Sequence, residues 1–214
     1  MVLFDFDGTL GDTIALIVAS YRHALSSVAG LEVDDTEARS WIGRPLLGVL
    51  QERHPEHAEA MIEAYRDWNR THHDTLIRPV PGMVELLDGL AAAGARTMVV
   101  SSKVTETVRL GLTALGLDQR LPDVVGQGDT EHHKPHPQPL LLAASRLGVE
   151  PGECVYVGDA TVDVMAAKAA GMTAVAVTWG AGERAELTAA GADTVVDDVD
   201  GLAGTLGVRL TPGW

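Results

Sequence analysis

With 214 residues, 46% of them hydrophobic and 21% charged, the chain suits one substantial globular domain, or a domain with a modest insertion. A net charge of -14 argues against nucleic-acid binding, which needs a basic footprint. An anionic substrate stays compatible with that charge only if a divalent cation reverses the local field. The single cysteine, Cys154, lies in the apolar run CVYV and reads as a buried structural thiol in a reducing compartment. The stretch MVLFDFDG carries charges where a signal peptide needs an apolar core, and no run approaches the ~18 apolar residues of a membrane span. A cytoplasmic protein with no membrane and no nucleic-acid partner is expected. Monomer and homodimer both stay open.

In chain order, Val2–Phe6 reads as a short strand running into Asp-Gly. Residues 13–79 change character: charge and histidine are frequent, and IALIVASYRHALSSV and HAEAMIEAYRDWNRTHH show helical spacing. Pro79, Pro81 and Gly82 punctuate the return. Strands and helices then alternate. Strands are expected at Arg96–Val100, Asp123–Val125, Cys154–Val157, Ala174–Val177 and Thr194–Val196. Helices are expected at Met83–Ala93, Val104–Leu115, Pro139–Leu147, Val162–Ala170 and Arg184–Ala190. Such alternation implies right-handed crossovers and a mostly parallel, Rossmann-like α/β sheet with helices on both faces. The expected organisation is an α/β core of residues 1–12 and 80–214, with a helical unit, 13–79, inserted after the first strand.

Ligands of open α/β sheets sit beyond the carboxyl ends of the strands. Asp7 and Thr9 follow the first strand, with Asp5 still within it; Ser101 and Ser102 follow the second, Lys134 the third after a loop, and Asp159 and Asp163 the fourth. Asp5 is the most telling, because V-L-F-D-F places a carboxylate where a buried strand should be apolar. Such a group needs a cation or donors waiting for it. Mg²⁺ prefers hard oxygen ligands, which Asp5, Asp159 and Asp163 supply. Phosphoryl transfer needs a nucleophile, an acid and screening of the transferring oxygens. Asp5 fits the nucleophile, Asp7 the acid and base, and Thr9, Ser101 and Lys134 the screening groups.

These residues resemble the haloacid dehalogenase superfamily over nearly the whole chain. DFDGTL at Asp5–Leu10 is similar to its first motif, VVSS ending at Ser101–Ser102 to its second, KPHP at Lys134–Pro137 to its third, and VGDATVD at Val157–Asp163 to its fourth. The resemblance implies Asp5 as nucleophile and Asp7 as acid and base, with the Asp7 carbonyl also on Mg²⁺. It further implies Ser101 and Lys134 on the phosphate, Asp159 and Asp163 at the metal, and the insertion as a cap over the substrate. An aspartate at position 7 favours phosphate chemistry over carbon–halogen or carbon–phosphorus cleavage. GTLGDT at Gly8–Thr13, the KPHPQPLLLAA stretch and VTWG at Val177–Gly180 look most like the phosphoglycolate phosphatase-like branch. The expected function is a Mg²⁺-dependent phosphatase acting on a small phosphorylated metabolite through an aspartyl-phosphate. Alternatives are a sugar phosphomutase, a pyrophosphatase or nucleotidase, and a non-catalytic binding protein on a retained fold.

Arg44, in Trp41-Ile-Gly-Arg-Pro, suits a substrate carboxylate or phosphate as well as it suits open solvent. The pairs His72-His73 and His132-His133 match no zinc spacing and read as solvent-facing. Lys103 and His136 flank catalytic motifs and suit the mouth of the site, with no catalytic role expected of either.

Overall fold

The computed structural model describes residues 1–210. Six strands form one parallel sheet: β1 (Val2–Phe4), β4 (Thr97–Val104), β5 (Val124–Gln127), β6 (Val155–Gly158), β7 (Thr173–Val177) and β8 (Thr194–Val196), in the order β5-β4-β1-β6-β7-β8. Register is direct, with Leu3 opposite Met98 on one side and Tyr156 on the other. Side chains alternate across the sheet, as the pleat requires. Val2, Phe4, Val99, Val157 and Val175 join one apolar cluster, and Leu3, Met98, Val100, Tyr156 and Ala174 join the other.

Helices α5 (Met83–Ala92), α6 (Thr105–Ala114) and α10 (Val199–Thr205) cover the first face through Leu86, Leu90, Leu112 and Leu202. Helices α7 (Gln138–Leu147), α8 (Thr161–Ala169) and α9 (Arg184–Ala189) cover the second through Leu140, Ala144, Val164 and Leu187. Each such buried leucine or valine contributes about 1.5–3 kcal/mol. The chain winds outward from β1 in both directions and changes face as it does so. The carboxyl ends of β1, β4 and β6 therefore flank the crevice at the switch of strand order.

Between β1 and β4 lie α1 (Ile14–Ala29), α2 (Asp35–Ser40), α3 (Leu46–Arg53) and α4 (Ala58–Leu76). They share an apolar cluster of their own, with Ile17, Tyr21, Trp41, Met61 and Tyr65 buried. Gly30, in the left-handed region at φ 65°, ends α1, and the Asp34 carboxylate caps α2 by accepting from Glu37 N at 2.8 Å. Entry and exit run side by side as a two-residue antiparallel pair, β2 (Gly11–Asp12) with β3 (Arg78–Pro79). No helix among the described residues is long and apolar enough to cross a membrane.

Two differences from the sequence expectation bear on the site. The first strand ends at Phe4, two residues early, because the chain turns after Asp5, reaching a left-handed Gly8 at φ 72°. The second strand runs on to Val104, with a register shift between Val100 and Val104 that takes Ser101, Ser102 and Lys103 out of the regular pairing with β5. Helices α2, α3 and α10 were not anticipated; α2 and α10 are only six and seven residues long, below the length at which periodicity is legible.

Candidate active site

Asp5 leaves β1 with its amide still donating to Val157 O at 2.8 Å, which fixes the backbone at the sheet's end. Its side chain is buried at 2% exposure. Lys134 Nζ lies 3.0 Å from Asp5 Oδ1, yet that oxygen accepts no hydrogen bond, so the approach is one of charge and not of aligned donation. The ammonium instead donates to Asp163 Oδ1 at 2.6 Å and Tyr156 Oη at 3.0 Å, while Tyr156 donates to Val100 O at 2.9 Å. Burial disfavours the Lys134 charge, but the Asp163 and Asp5 carboxylates outweigh it and hold the amine protonated.

Asp159 is fully buried behind β6. Its Oδ2 accepts from Ala181 N at 2.6 Å and its Oδ1 from Thr9 Oγ1 at 3.3 Å. Two glycines make room for it: a Cβ on Gly8 or on Gly180 would lie 2.1 Å from Asp159 Oδ2. Asp163 accepts from Ala160 N at 3.0 Å through Oδ2, so both of its oxygens are engaged. Ligand atoms of Asp5, Asp159 and Asp163 all lie within 4.8 Å of one another.

The charges in this floor do not balance. Three buried carboxylates face one buried ammonium, a combination that is costly without a further cation. Burial, helped by Asp163 and Asp7, pushes the Asp5 carboxyl up to about 7 against the pull of Lys134, and burial likewise lifts Asp159 well above the usual carboxylate range. The orphaned Asp5 oxygen and an all-oxygen donor set fit a hard divalent cation such as Mg²⁺.

Asp7 stands apart from that cluster. Its Oδ1 accepts from Lys103 Nζ at 2.6 Å and Thr13 Oγ1 at 2.7 Å, which leaves Oδ2 without a hydrogen-bond partner among the described residues. Lys103 Nζ also lies 5.7 Å from the Phe6 ring centroid, within cation–π reach of the aromatic face. Ser101 is buried beside Asp5, and its Oγ accepts from Lys103 N at 3.3 Å. Asp5, Asp7, Ser101, Ser102 and Lys103 share a cavity of about 500 Å³ with α1, α4 and the Trp41–Arg44 loop.

Most of the expected residues are thus brought together, but three are placed differently. Thr9 does not line the cavity: it is fully buried and its hydroxyl is turned to Asp159, so it steadies that carboxylate. Arg44 lines the cavity mouth while paired with Glu52 at 2.5 Å. His73 is not solvent-facing: it is 2% exposed and lines the cavity, whereas His72 stacks on Trp68 at 3.9 Å. Sequence reasoning missed Lys103 and Thr13 as partners of Asp7. Proximity of Lys103 to the second motif was the available signal; nothing local marked Thr13.

Comparison with known proteins decides the family, because residues 2–177 match the haloacid dehalogenase-like hydrolase family. The chain belongs to that family. Among relatives of this hydrolase, the pyrophosphatase PpaX of Bacillus velezensis is 36% identical over 97% of this chain and 96% of its own. The putative pyrophosphatase PpaX of Caldanaerobacter subterraneus is 37% identical over 83% of this chain and 81% of its own. A hydrolase from Pseudomonas syringae superimposes with a TM-score of 0.87 at 29% identity, over 96% of this chain and 97% of that one. A predicted phosphoglycolate phosphatase from Haemophilus somnus gives 0.82 at 27% identity, over the same shares. The haloacid dehalogenase-like fold and the parallel sheet expected from the sequence are therefore shown.

Proposed function

We propose that this hydrolase is a Mg²⁺-dependent phosphatase that releases phosphate from a small phosphorylated metabolite through an aspartyl-phosphate on Asp5. The observation that carries the reading is the buried Asp5 oxygen with no hydrogen bond, at the floor of a cavity that also holds Asp7, Ser101 and Lys103. A divalent cation on Asp5 and Asp159, with Asp163 adding charge nearby, would keep Asp5 ionised at neutral pH and screen the phosphoryl oxygens.

The chain's own groups account for the other requirements. With Oδ1 turned to Lys134 and the cation site, Asp5 Oδ2 is the oxygen to attack phosphorus. Lys134, held by Asp163 and Tyr156, fixes a positive charge against Asp5 and the phosphoryl group it receives. Asp7 is gripped through one oxygen by Lys103 and Thr13, so its other oxygen is the one to protonate the leaving group and then to take a proton from water. The four helices between β2 and β3 act as the cap, walling the cavity above these groups. The names of the relatives favour pyrophosphate as the first substrate to try and phosphoglycolate as the second.

The test is phosphate release from a panel containing pyrophosphate, phosphoglycolate, nucleoside monophosphates and glucose 1-phosphate, with and without Mg²⁺. Mg²⁺-dependent release from at least one member is expected. No release from any sinks the reading, and conversion of glucose 1-phosphate to glucose 6-phosphate without release would favour the mutase.

Gly180→Ala offers a sharper check on the metal ligands. The new Cβ would lie 2.1 Å from Asp159 Oδ2 and 2.4 Å from its Cβ, so the carboxylate must move. The Mg²⁺ concentration giving half-maximal rate is expected to rise about 10–100-fold, the usual scale for disturbing a group that orients a ligand. An unchanged Mg²⁺ dependence would remove Asp159 from the ligand set.

A further inference from the structure

The buried stripe of α4 changes character along its length. Ala58, Met61, Ile62 and Tyr65 are buried and pack with α1, as a helix–helix contact requires. One turn later, where the cavity opens, the stripe becomes polar. Arg66, Asn69, Arg70 and His73 follow the i, i+3, i+4, i+7 spacing of one helical face, and all four line the cavity.

Two of the four are built in. Asn69 is 5% exposed, with its Nδ2 donating to Ser20 Oγ at 3.0 Å, and Ser20 in turn donates to Leu16 O at 2.6 Å. His73 is 2% exposed, with Nδ1 held by Asp74 Oδ1 at 2.8 Å, so its Nε2 edge is the part left for the cavity. Polar side chains at so buried a helix interface carry a desolvation cost that apolar residues would avoid. The two arginines add positive charge. Arg70 is paired with Asp67 at 2.8 Å, whereas Arg66 has no ion-pair partner among the described residues. In a chain of net charge -14, a cation left unpaired against the cavity is itself informative.

Ile17, Leu46 and Leu110 give the cavity an apolar side as well, which suits a short carbon spacer. The floor already supplies what a transferring phosphoryl group needs, so the α4 stripe is free to meet a different part of the substrate. We infer that Arg66, Asn69, Arg70 and His73 form a leaving-group subsite that selects phosphoryl compounds whose leaving group carries an oxyanion of its own. The inference rests on the phosphatase reading and deepens it. A carboxylate and a second phosphoryl group share the required chemistry: negative charge and acceptor oxygens. Arg66 supplies the charge, and Asn69 and His73 supply orientation. Arg66 is thus a specificity residue and takes no part in bond breaking.

The experiment compares kcat/KM of wild type, Arg66→Met and Arg66→Lys on phosphoglycolate, pyrophosphate and phenyl phosphate, whose leaving group has no second oxyanion on a carbon or phosphorus centre. Arg66 is exposed, so neither substitution threatens folding. Arg66→Met is expected to lower kcat/KM on the better of the two oxyanion-bearing substrates by about 10–100-fold more than on phenyl phosphate, the scale of a lost hydrogen bond to a charged group. The loss should fall mainly on KM, and Arg66→Lys should recover part of it. The substrate showing the larger differential loss tells whether a carboxylate or a phosphoryl group is read. Equal losses on all three compounds, or none, overturn the subsite while leaving the phosphatase reading intact. Wild-type protein inactive on all three overturns the subsite, and only inactivity across the whole panel above overturns the phosphatase reading.

Discussion

Asp5→Asn is expected to lower phosphate release at least about 10⁴-fold, the scale of deleting a covalent nucleophile, and to raise the melting temperature of the metal-free protein. The two effects share one cause. An unfolded aspartate titrates near 3.8, whereas burial, with Asp163 and Asp7 adding to it, lifts folded Asp5 to about 7 despite Lys134. Between those values the folded chain keeps a proton that the unfolded chain has lost. Stability of the metal-free protein therefore falls as pH rises from about 4 to about 7 and then levels off. Asparagine carries no charge and escapes that loss. The gain in melting temperature should be largest at pH 8 and shrink as the pH is lowered toward 5, measured calorimetrically in EDTA. An asparagine variant that melts below wild type at pH 8 in EDTA would contradict the account. Adding Mg²⁺ should stabilise wild type more than the variant, because the variant has lost a carboxylate ligand.

Lys134→Met is expected to have the opposite effect on stability. The ammonium is 1% exposed and lies between Asp5, Asp163 and the Tyr156 hydroxyl. Removing it leaves two buried carboxylates facing each other without a counter-charge. Breaking a buried ion pair from one side costs about 3–5 kcal/mol. In a chain of this size that corresponds to a fall of roughly 10 °C or more in melting temperature. Activity should be lost as well, since Lys134 is the fixed positive charge nearest the nucleophile. Pairing Lys134→Met with Asp163→Asn separates the two roles. The double variant should recover part of the stability and none of the activity. A double variant no more stable than the single one would show that Lys134 acts on the fold through packing alone.

Much of the sheet was legible because its strands are short apolar runs bounded by glycine, proline and acidic residues. The order of the strand-end residues was legible too, since Asp5, Ser101, Lys134 and Asp159 each follow such a run. What escaped depends on rotamers and on distant partners. Thr9 looks like a phosphate donor in sequence, and only the fold turns its hydroxyl toward a carboxylate 150 residues away. Lys103 and Asp7 are 96 residues apart and meet because β4 lies beside β1 and shifts register after Val100. His73 reads as a surface residue in sequence because its neighbour His72 and the polar stretch around it disguise a buried stripe. Adjacent histidines on a helix point about 100° apart, so one can face solvent while the other faces a cavity.

The division of the apolar residues into separate clusters has a consequence for how this enzyme can change. The groups assigned to bond breaking stand on the two clusters that sandwich the sheet, and the groups assigned to choosing the leaving group stand on the cluster shared by α1 and α4. Substitutions within separate apolar clusters that share no partner tend to act additively on stability. The helical unit can therefore drift in sequence, and even acquire a new preference, without disturbing the alignment of Asp5, Lys134 and Asp159. Reaction and selectivity are inherited together in one chain but are free to evolve at different rates.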